Sequence, residues 1–502
     1  MINLTIAGGQ VIIRIRYVQF VHIIMNVVQE MMAKGKKMKI RIGSRLIIEN
    51  PIAEIRAWCK DHLILDNPDY YKKEQMGKWT GDTPSKLYLY EVMGDEIWLP
   101  FGCLKDIWEM HPIQADYEFN ISPIRALKYE SGINLYPYQE KAVNEVIRAK
   151  NGVLVMPCGS GKTQCGLEII SRLGGKALWL THTQDLLNQS KARAESVLPG
   201  CGLGTITAGK VNLGSHITFA TVQTMAKLDL SNYKDQFDVI IVDEAQHCAG
   251  TPTRVTQFYK VVSRLSARYK IGLTATPKRA DGLQAAMFAL LGGKIYEVTR
   301  DEVAHTTCTV KVMQVDTGWQ PDYECVLMGD GTIDYHKVIE NMVEDEHRFD
   351  VVFTMLADIS GGYAPTMVLA NRVEYLKQLC TAYNEGQLGV GICLSGMGQS
   401  KGAKEERKKA LAALESGEID CIFATYQLAK EGLDVPSLRY VVFATPEKDE
   451  TTVVQAVGRV GRKAEGKAYG TVIDFVDDFG MYQGWAKKRR GYYKKIGAKE
   501  VD

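Results

Sequence analysis

The sequence predicts an α/β protein with two tandem parallel-sheet lobes, preceded by a smaller α+β accessory domain. Two observations support this fold class. Two sets of short apolar runs alternate with helical stretches along the chain, and a glycine-rich loop follows the first run of the first set and leads into a helix. Runs that are buried on both faces and joined by helices are what a parallel sheet with crossover connections requires. We therefore expect two α/β lobes, each formed around its own sheet.

The accessory domain is predicted over residues 38–130, behind an extension over residues 1–37. Two arginines, a histidine and a glutamate interrupt the apolar stretch Val11–Met32, so we predict neither a signal peptide nor a membrane span there. Whether the extension belongs to the folded protein stays open, because Met38 itself opens a well-patterned strand. The elements expected in this domain are a helix over Pro51–Asp61 and strands at Lys39–Ile42, Arg45–Ile48, Leu87–Tyr90 and Glu96–Leu99.

The two lobes are predicted over residues 131–298 and 299–480. We place a loop and a helix between Gln314 and Arg348, at the entrance to the second lobe, and a basic and aromatic tail over residues 481–502. The apolar runs predicted as strands are Val153–Val155, Lys176–Leu180, His216–Ala220, Asp238–Val242 and Lys270–Leu273 in the first lobe, and Thr366–Leu369, Val390–Leu394, Asp420–Ala424, Tyr440–Phe443 and Gly470–Ile473 in the second.

Composition narrows the classes of function without choosing among them. The 502 residues are 46% hydrophobic and 24% charged, an ordinary globular balance. Because the formal net charge is only +2, any nucleic-acid surface must come from local clusters of basic residues. The eleven cysteines are never spaced C-x-x-C, which favours reduced thiols in a cytoplasmic compartment and argues against a zinc site or a disulfide framework.

The stretch Met156–Thr163 predicts a nucleotide site, because it gives the order strand, glycine loop, helix. Such a loop turns its backbone N–H groups towards a phosphate chain, and the helix N-terminus adds partial positive charge. Lys162 would reach the outer phosphates and Thr163 would ligate Mg²⁺. Met156 stands where the usual pattern has glycine, and the alternative is a glycine turn whose lysine faces solvent. The residues predicted to surround the phosphates are Pro157, Cys158, Gly159, Ser160, Gly161, Lys162 and Thr163.

An acidic pair, Asp243 and Glu244, stands directly after the apolar run Val239–Val242. Asp243 would hold the metal ion through water, and Glu244 would orient and activate the attacking water. The carboxyl edge of an open α/β sheet is where ligands bind, so this pair and the phosphate loop can meet there. Alone, an acidic pair at a strand end is also a common surface feature.

Two arginines, Arg459 and Arg462, are three residues apart near the end of the second lobe. This spacing places both on one side of a helix or of its entry turn. We predict that they complete the nucleotide site from the second lobe, so that hydrolysis occurs only when the lobes close. The alternative is a pair of arginines in ordinary surface salt bridges.

Basic and aromatic residues interleave in one predicted loop of the accessory domain, at Lys72, Lys73, Lys78 and Trp79. Such a loop could touch a phosphate backbone and stack on a base. A solvated basic loop is an equally good interpretation.

The order of these motifs resembles the helicases and translocases of superfamily 2, across residues 133–480. Leu135–Gln139 resembles the adenine-reading glutamine motif, and Thr274-Ala275-Thr276 resembles the motif that couples hydrolysis to strand contact. The resemblance implies two RecA-like lobes, ATP with Mg²⁺, and further residues with roles. These are Gln139, Gly432 and Asp434 in ATP binding, Gln246 in catalysis, Ala275 and Gln455 in coupling, and Thr183, Gln184, Thr221, Gln223, Arg279 and Thr425 in nucleic-acid binding.

Within that superfamily, Thr276–Gly282 and the Met156-Pro-Cys loop resemble the branch that contains the repair helicase XPB and the phage recombination helicase UvsW. Residues 67–102 resemble the duplex-binding domain of UvsW-type proteins. Gln246 replaces a histidine often seen in this branch, which puts the coupling role of that position in doubt, and Ala280 breaks the Arg-Glu-Asp triplet of XPB.

The resemblance implies an ATP-dependent DNA helicase or translocase that unwinds or branch-migrates duplex or forked DNA. An RNA or RNA–DNA hybrid helicase and the motor subunit of a nuclease or restriction system are the alternatives among enzymes. We expect no membrane partner, and a monomer fits the sequence. A binding module with a vestigial ATPase is disfavoured because Lys162, Thr163, Asp243, Glu244 and Arg462 all occur together. A small-molecule kinase would need no second lobe with paired arginines.

Overall fold

The computed structural model describes residues 3–7, 10–14, 37–110, 115–157, 159–251, 256–277, 281–303, 307–329, 331–360, 364–398, 400–430 and 435–501. Near its start lies an antiparallel hairpin of strands β1 (Asn3–Ala7) and β2 (Gln10–Arg14). How residues 1–37 relate to the folded protein stays an open prediction. Among the helices of the described ranges, none combines the length and apolar character needed to cross a bilayer.

In the part of the accessory domain that the structure describes, there are a five-stranded sheet, a two-stranded sheet and three α-helices. Alternating residues of its first two strands, such as Ile40, Ile42 and Leu46, are buried, because one face of the sheet packs on helix α1 (Ala53–His62). The elements are β3 (Lys39–Ile42), β4 (Arg45–Glu49), α1 (Ala53–His62), β5 (Ile64–Asp66), α2 (Pro68–Gln75), β6 (Lys86–Tyr88), β7 (Glu91–Met93), β8 (Glu96–Pro100), a 3₁₀ turn at Phe101–Cys103, α3 (Leu104–Met110) and β9 (Asp116–Phe119).

One prediction for this domain is wrong in its local structure. Lys72 and Lys73 lie in the last turn of helix α2 and not in a loop with Lys78 and Trp79. The helix forms because Asn67 accepts a hydrogen bond from the Asp69 N–H and Pro68 occupies the first turn, where proline needs no N–H partner.

The first lobe contains an eight-stranded sheet in the order β13-β12-β14-β11-β15-β16-β10-β17, parallel except for the β12–β13 pair. All five predicted strands are confirmed. The elements are α4 (Pro137–Ala149), β10 (Gly152–Val155), α5 (Lys162–Leu173), β11 (Ala177–Thr181), α6 (Gln184–Val197), β12 (Leu203–Thr207), β13 (Lys210–Asn212), β14 (Ile217–Thr221), α7 (Val222–Met225), β15 (Val239–Asp243), α8 (Gln257–Val262), β16 (Tyr269–Thr274), α9 (Gln284–Leu291) and β17 (Lys294–Glu297), with 3₁₀ turns at Leu230–Tyr233 and Ala245–His247.

The second lobe contains a seven-stranded parallel sheet in the order β20-β21-β19-β22-β23-β18-β24. All five predicted strands are again confirmed. The elements are α10 (Arg300–Val303), β18 (Thr309–Asp316), α11 (Tyr323–Val326), α12 (Tyr335–Glu344), α13 (Glu346–Ile359), β19 (Thr366–Ala370), α14 (Val373–Glu385), β20 (Gly391–Cys393), α15 (Lys401–Ser416), β21 (Cys421–Thr425), α16 (Tyr426–Lys430), β22 (Tyr440–Phe443), α17 (Glu450–Val460), β23 (Tyr469–Val476), α18 (Gly480–Lys495) and β24 (Lys499–Val501).

The stretch predicted as a tail is instead part of the second lobe. Helix α18 packs on the sheet, with Arg489 and Tyr493 buried and both bonded to the carboxylate of Asp474. Strand β24 then pairs with β18. The region from Gln314 to Arg348 is also more ordered than predicted, because it begins inside a strand and contains two complete helices.

The accessory domain packs tightly against the first lobe. Ala286 and Ala289 of α9 belong to its hydrophobic core. The backbones come so close at Gly102 that an added Cβ would lie 2.3 Å from the Gly292 nitrogen. Lys270 of β16 is fully buried at this junction and donates hydrogen bonds to the carbonyl oxygens of Ser44 and Val262, both at 2.9 Å.

Candidate ATP site and its connections

The phosphate loop is held in shape by glycines and by contacts from helix α4. Gly159 and Gly161 have φ of 77° and 84°, a region that favours glycine. Helix α5 begins at Lys162, so its first N–H groups face the loop. The Tyr138 hydroxyl and the Gln139 side-chain amide both donate to the Ser160 carbonyl oxygen, at 2.9 and 2.8 Å. Cys158 lies outside the described residues.

Met156, the departure from the usual loop pattern, has a structural explanation. Its side chain is buried in the core of the first lobe, and its N–H donates to the Thr274 carbonyl oxygen at 2.9 Å. The large side chain at this position is therefore accommodated in the core of the first lobe.

Gln139, predicted to bind adenine, is buried and connects two segments of the first lobe. Its Oε1 accepts from the Tyr136 N–H at 2.9 Å while its Nε2 donates to Ser160. The glutamine thus ties the start of α4 to the phosphate loop. Recognition of adenine by Gln139 stays a prediction.

The acidic pair lies at the end of β15 beside the loop. Burial and the neighbouring Glu244 raise the pKa of Asp243 to about 7, and the positive charge of Lys162 acts in the opposite direction. Glu244 has a φ of 52° and its N–H donates to Asp243 Oδ1 at 3.0 Å. A non-glycine residue in the left-handed region is strained, and such strain is typical of functional sites.

The residues at this site suit a magnesium ion that arrives with nucleotide phosphates. Asp243 is a buried carboxylate whose charge burial disfavours, so a bound cation would stabilise it. The Thr163 hydroxyl belongs to the first turn of α5. Among the described residues, no set of three or more His, Cys, Asp or Glu side chains could hold a metal by itself. Mg²⁺ commonly takes one or two protein ligands and completes its shell with phosphates and water.

A hydrogen-bonded relay leads from Glu244 into the next strand end. Gln246 Nε2 donates to Glu244 Oε2 at 2.8 Å, and Thr274 Oγ1 donates to Gln246 Oε1 at 2.6 Å. The Thr276 N–H donates to Thr274 Oγ1 at 3.1 Å. Because Gln246 and Thr274 are buried, the hydrogen bond between their side chains is shielded from water. The relay spans the segment Thr274-Ala275-Thr276 that was predicted to couple hydrolysis to strand contact.

The two arginines of the second lobe have different environments. A Cβ added to Gly159 would lie 3.8 Å from Arg462 Cγ, so Arg462 reaches the phosphate loop of the first lobe. Arg459 donates to the Ala429 carbonyl oxygen within its own lobe. The prediction that both lie on one side of a helix or its entry turn is wrong, because α17 ends at Val460 and Arg462 follows its C-terminus. Gln455 lies one turn before Arg459 on α17.

The predicted nucleic-acid residues of the first lobe lie at neighbouring strand ends and mostly make local contacts. Thr183 caps α6 by accepting from the Leu186 N–H, and Gln184 Nε2 donates to Asn188. Thr221 Oγ1 donates to Thr224, and Gln223 Nε2 donates to the His182 carbonyl oxygen at 2.7 Å. These contacts place the two loops side by side.

Among the remaining predicted site residues, the structure describes Thr425 of the second lobe and Trp79 of the accessory domain. Thr425 ends β21, and its N–H donates to Ser395 Oγ at 2.7 Å. Arg279, Gly432 and Asp434 lie outside the described residues. In the accessory domain, Trp79 is 75% exposed, which leaves its ring accessible for stacking.

Three side chains near the site were not singled out from the sequence. Tyr138 contacts the phosphate loop, and its position beside Gln139 was the available signal. The ring centroids of His182 and His247 are 4.3 Å apart. No sequence pattern predicts this contact, because the two residues are 65 positions apart in the chain.

The fold and this site define a nucleoside triphosphatase with two RecA-like lobes, in which an arginine of the second lobe approaches the phosphate loop of the first. Residues 132–279 match the type III restriction enzyme res subunit family, and residues 353–464 match the helicase conserved C-terminal domain. The chain belongs to superfamily 2 of the helicases, the nucleic-acid-dependent ATPases, and is related to XPB. The predicted family, fold class and enzyme class are thereby confirmed.

Two relatives and one solved structure illustrate this likeness. The chain is 25% identical over 395 residues to a putative ATP-dependent RNA helicase of Acanthamoeba polyphaga mimivirus, covering 76% of this chain and 70% of that protein. It is 25% identical over 368 residues to the DNA 3'-5' translocase XPB2 of Sulfurisphaera tokodaii, covering 67% and 80%. The ATP-dependent type ISP restriction-modification enzyme LlaBIII bound to DNA superposes with a TM-score of 0.53 at 18% identity, covering 73% of this chain and 30% of that one.

Proposed function

We propose that this protein is a DNA motor that uses ATP and Mg²⁺ to translocate on, unwind or branch-migrate duplex or forked DNA. The observation that carries the proposal is the approach of Arg462, from the second lobe, to Gly159 of the phosphate loop in the first. A site completed by a side chain from the other lobe makes turnover depend on the lobes' arrangement. That dependence is what converts hydrolysis into movement.

Each protein group has a distinct task in hydrolysis. Mg²⁺ would be held by Thr163 and Asp243 and would neutralise phosphate charge. Lys162 and Arg462 stabilise negative charge that develops on the outer phosphates. Glu244 accepts a proton from the attacking water, and Gln246 fixes the orientation of its carboxylate through the 2.8 Å hydrogen bond.

The nucleic-acid path follows the strand-end loops of both lobes. Hydroxyl and amide side chains there suit contacts with phosphates, which position a strand without reading its sequence. Binding of that kind weakens as salt concentration rises. The residues assigned to this path are Thr183, Gln184, Thr221, Gln223, Arg279 and Thr425, with Lys72, Lys73, Lys78 and Trp79 of the accessory domain as a second surface. A cytoplasmic location and a monomeric state remain predictions.

DNA is favoured over RNA because the XPB relatives are named as DNA helicases or translocases. The mimivirus relative is named as an RNA helicase, so RNA or an RNA–DNA hybrid is the second candidate substrate. The restriction-enzyme likenesses keep a motor subunit of a nuclease system as a further alternative.

The test is the rate of ATP hydrolysis with single-stranded DNA, duplex, fork, Holliday junction and RNA in parallel. We expect duplex or branched DNA to stimulate turnover most. Lys162→Ala should abolish turnover with every substrate, since the outer phosphates lose their counter-charge. Lys210→Ala, on the exposed edge strand β13, is the matched control. If RNA alone stimulated turnover, RNA and not DNA would be the substrate. Wild-type turnover in Lys162→Ala would contradict the assignment of the ATP site.

A further inference from the structure

Two loops with different tasks meet through a pair of imidazole rings. The ring centroids of His182 and His247 are 4.3 Å apart, with the ring planes at 42°. His182 follows β11, and His247 ends the 3₁₀ turn that follows Glu244. Because β11 and β15 pair in parallel, their carboxyl ends place the nucleic-acid loop at Thr181–Gln184 beside the catalytic loop.

The backbone around His182 is held by hydrogen bonds that involve Gln223 and Thr183, two residues assigned to the nucleic-acid path. Its carbonyl oxygen accepts from Gln223 Nε2 at 2.7 Å, and the Thr181 hydroxyl donates to the Thr183 carbonyl oxygen at 3.0 Å. A displacement of either neighbouring loop therefore moves His182.

The ring of His182 is held by packing. Its Nδ1 is buried and has no hydrogen-bond partner within the described part of the chain. Burial lowers the pKa of His182, and the negative charge of Glu244 opposes that shift. A packed ring transmits a displacement to whatever it touches, because cores are close-packed.

His247 is in turn connected to the predicted catalytic base. Its N–H donates to the Glu244 carbonyl oxygen at 3.0 Å. The preceding residue, Gln246, donates to the Glu244 carboxylate. Since Glu244 itself has the strained φ of 52°, a small shift of the 3₁₀ turn changes the direction of its carboxylate.

We propose that His182 is a positioning residue that transmits nucleic-acid binding to Glu244 through its ring contact with His247. This inference rests on the proposed function, because it takes the Thr181–Gln184 loop as part of the nucleic-acid path. When a phosphate backbone draws Thr183 and Gln184 towards it, His182 moves with them and resets the turn that carries Glu244. The effect falls on the chemical step, hence on kcat and not on the KM for ATP.

The test measures kcat and KM for ATP with and without saturating DNA. In His182→Ala and His247→Ala we expect the ratio of kcat with DNA to kcat without DNA to fall about fivefold or more, the lower end of ordinary coupling energies. The KM for ATP should change little. His62→Ala is the matched control, since His62 also stacks on an aromatic ring, that of Trp58, but in helix α1.

Two further variants separate transmission from simple loss of structure. The double variant His182→Ala/His247→Ala should lose no more stimulation than either single variant, because both remove the same ring pair. His182→Phe keeps a ring against His247 and should restore most of the stimulation. His247 is exposed, so His247→Ala tests the contact even if His182→Ala fails to fold.

The outcomes distinguish this inference from the proposed function. Two outcomes would contradict this inference alone while DNA still stimulates the wild type. In the first, the ratio of kcat with DNA to kcat without DNA in His182→Ala stays within about twofold of the wild-type ratio. In the second, the losses of stimulation in the two single variants multiply in the double variant. If no nucleic acid stimulates the wild type, the proposed function fails and the inference fails with it.

Discussion

Gln246 occupies the position where the XPB branch often has histidine. A primary amide has a donor and an acceptor on one side chain, and Gln246 uses both, towards Glu244 and from Thr274. The substitution therefore keeps a continuous path from the catalytic loop to the end of β16. The sequence put the coupling role of this position in doubt because glutamine replaces histidine. The two hydrogen bonds require only that the side chain at this position has both a donor and an acceptor.

Arg462 and Arg459 should differ in their effect on turnover. Arg462→Ala should still bind ATP but lower kcat by about a thousandfold or more, the usual effect of removing an arginine finger. Arg459→Ala should cost much less, because its guanidinium bonds to Ala429 within the second lobe. The measurements are steady-state ATPase and equilibrium binding of a fluorescent ATP analogue.

Arg439→Ala provides the control for that comparison, since Arg439 also donates to a carbonyl oxygen of the second lobe, that of Gly466. Equal losses in Arg459→Ala and Arg462→Ala would show that the pair acts as a unit and contradict the division of roles.

The phosphate loop and acidic pair could be predicted from sequence because backbone geometry requires those residue types at that spacing. The difference between Arg459 and Arg462 could not, since it depends on where helix α17 ends. Gly461 ends it between the two arginines, and only the packed structure decides which arginine side chain approaches Gly159.

At the scale of elements, the apolar strands were predictable and the polar ones were not. Strand β18 pairs along its whole length with β23, yet Lys311 and Gln314 interrupt its apolar pattern. Helix α18 contains three glycines and a basic run, and this stretch was predicted as a tail. Its burial depends on the Arg489–Asp474 ion pair, a tertiary interaction that no local pattern contains.

The junction between β16 and the accessory domain should make stability depend on pH. Burial lowers the pKa of Lys270 to about 7, so between pH 7 and about 10.4, its unfolded value, the unfolded chain binds more protons than the folded one. The free energy of unfolding should therefore rise with pH in this window, by up to about 1.4 kcal/mol per unit.

Lys270→Met should flatten that rise, as measured by urea denaturation at several pH values in the window. Lys260→Met is the control, because Lys260 also donates to a carbonyl oxygen, that of Ala226, but is only partly buried. An unchanged slope in Lys270→Met would contradict the assignment of the titration to this lysine.

At the scale of the whole molecule, the basic surface of the accessory domain should contribute to DNA affinity. The triple variant Lys72→Ala/Lys73→Ala/Lys78→Ala should weaken duplex binding at low salt. It should also reduce the slope of log affinity against log salt concentration by up to about 3, or roughly one for each phosphate that a lysine no longer neutralises. Fluorescence anisotropy titrations at several salt concentrations measure both quantities.

The exposed lysines Lys60 and Lys105 of the same domain, changed together to alanine, control for the loss of positive charge alone. An equal loss of affinity in that double variant would assign the effect to net charge and not to the surface around Trp79.

The close approach of Gly102 and Gly292, where no side chain fits, limits how the molecule can bend. The accessory domain and the first lobe are held together at that point, by the hydrogen bonds of the buried Lys270, and by the packing of Ala286 and Ala289 of α9. If the lobes move relative to each other during turnover, that movement should therefore occur at the connection to the second lobe. A nucleic acid bound to the accessory domain would then keep a fixed position relative to the nucleotide while the second lobe changes its place.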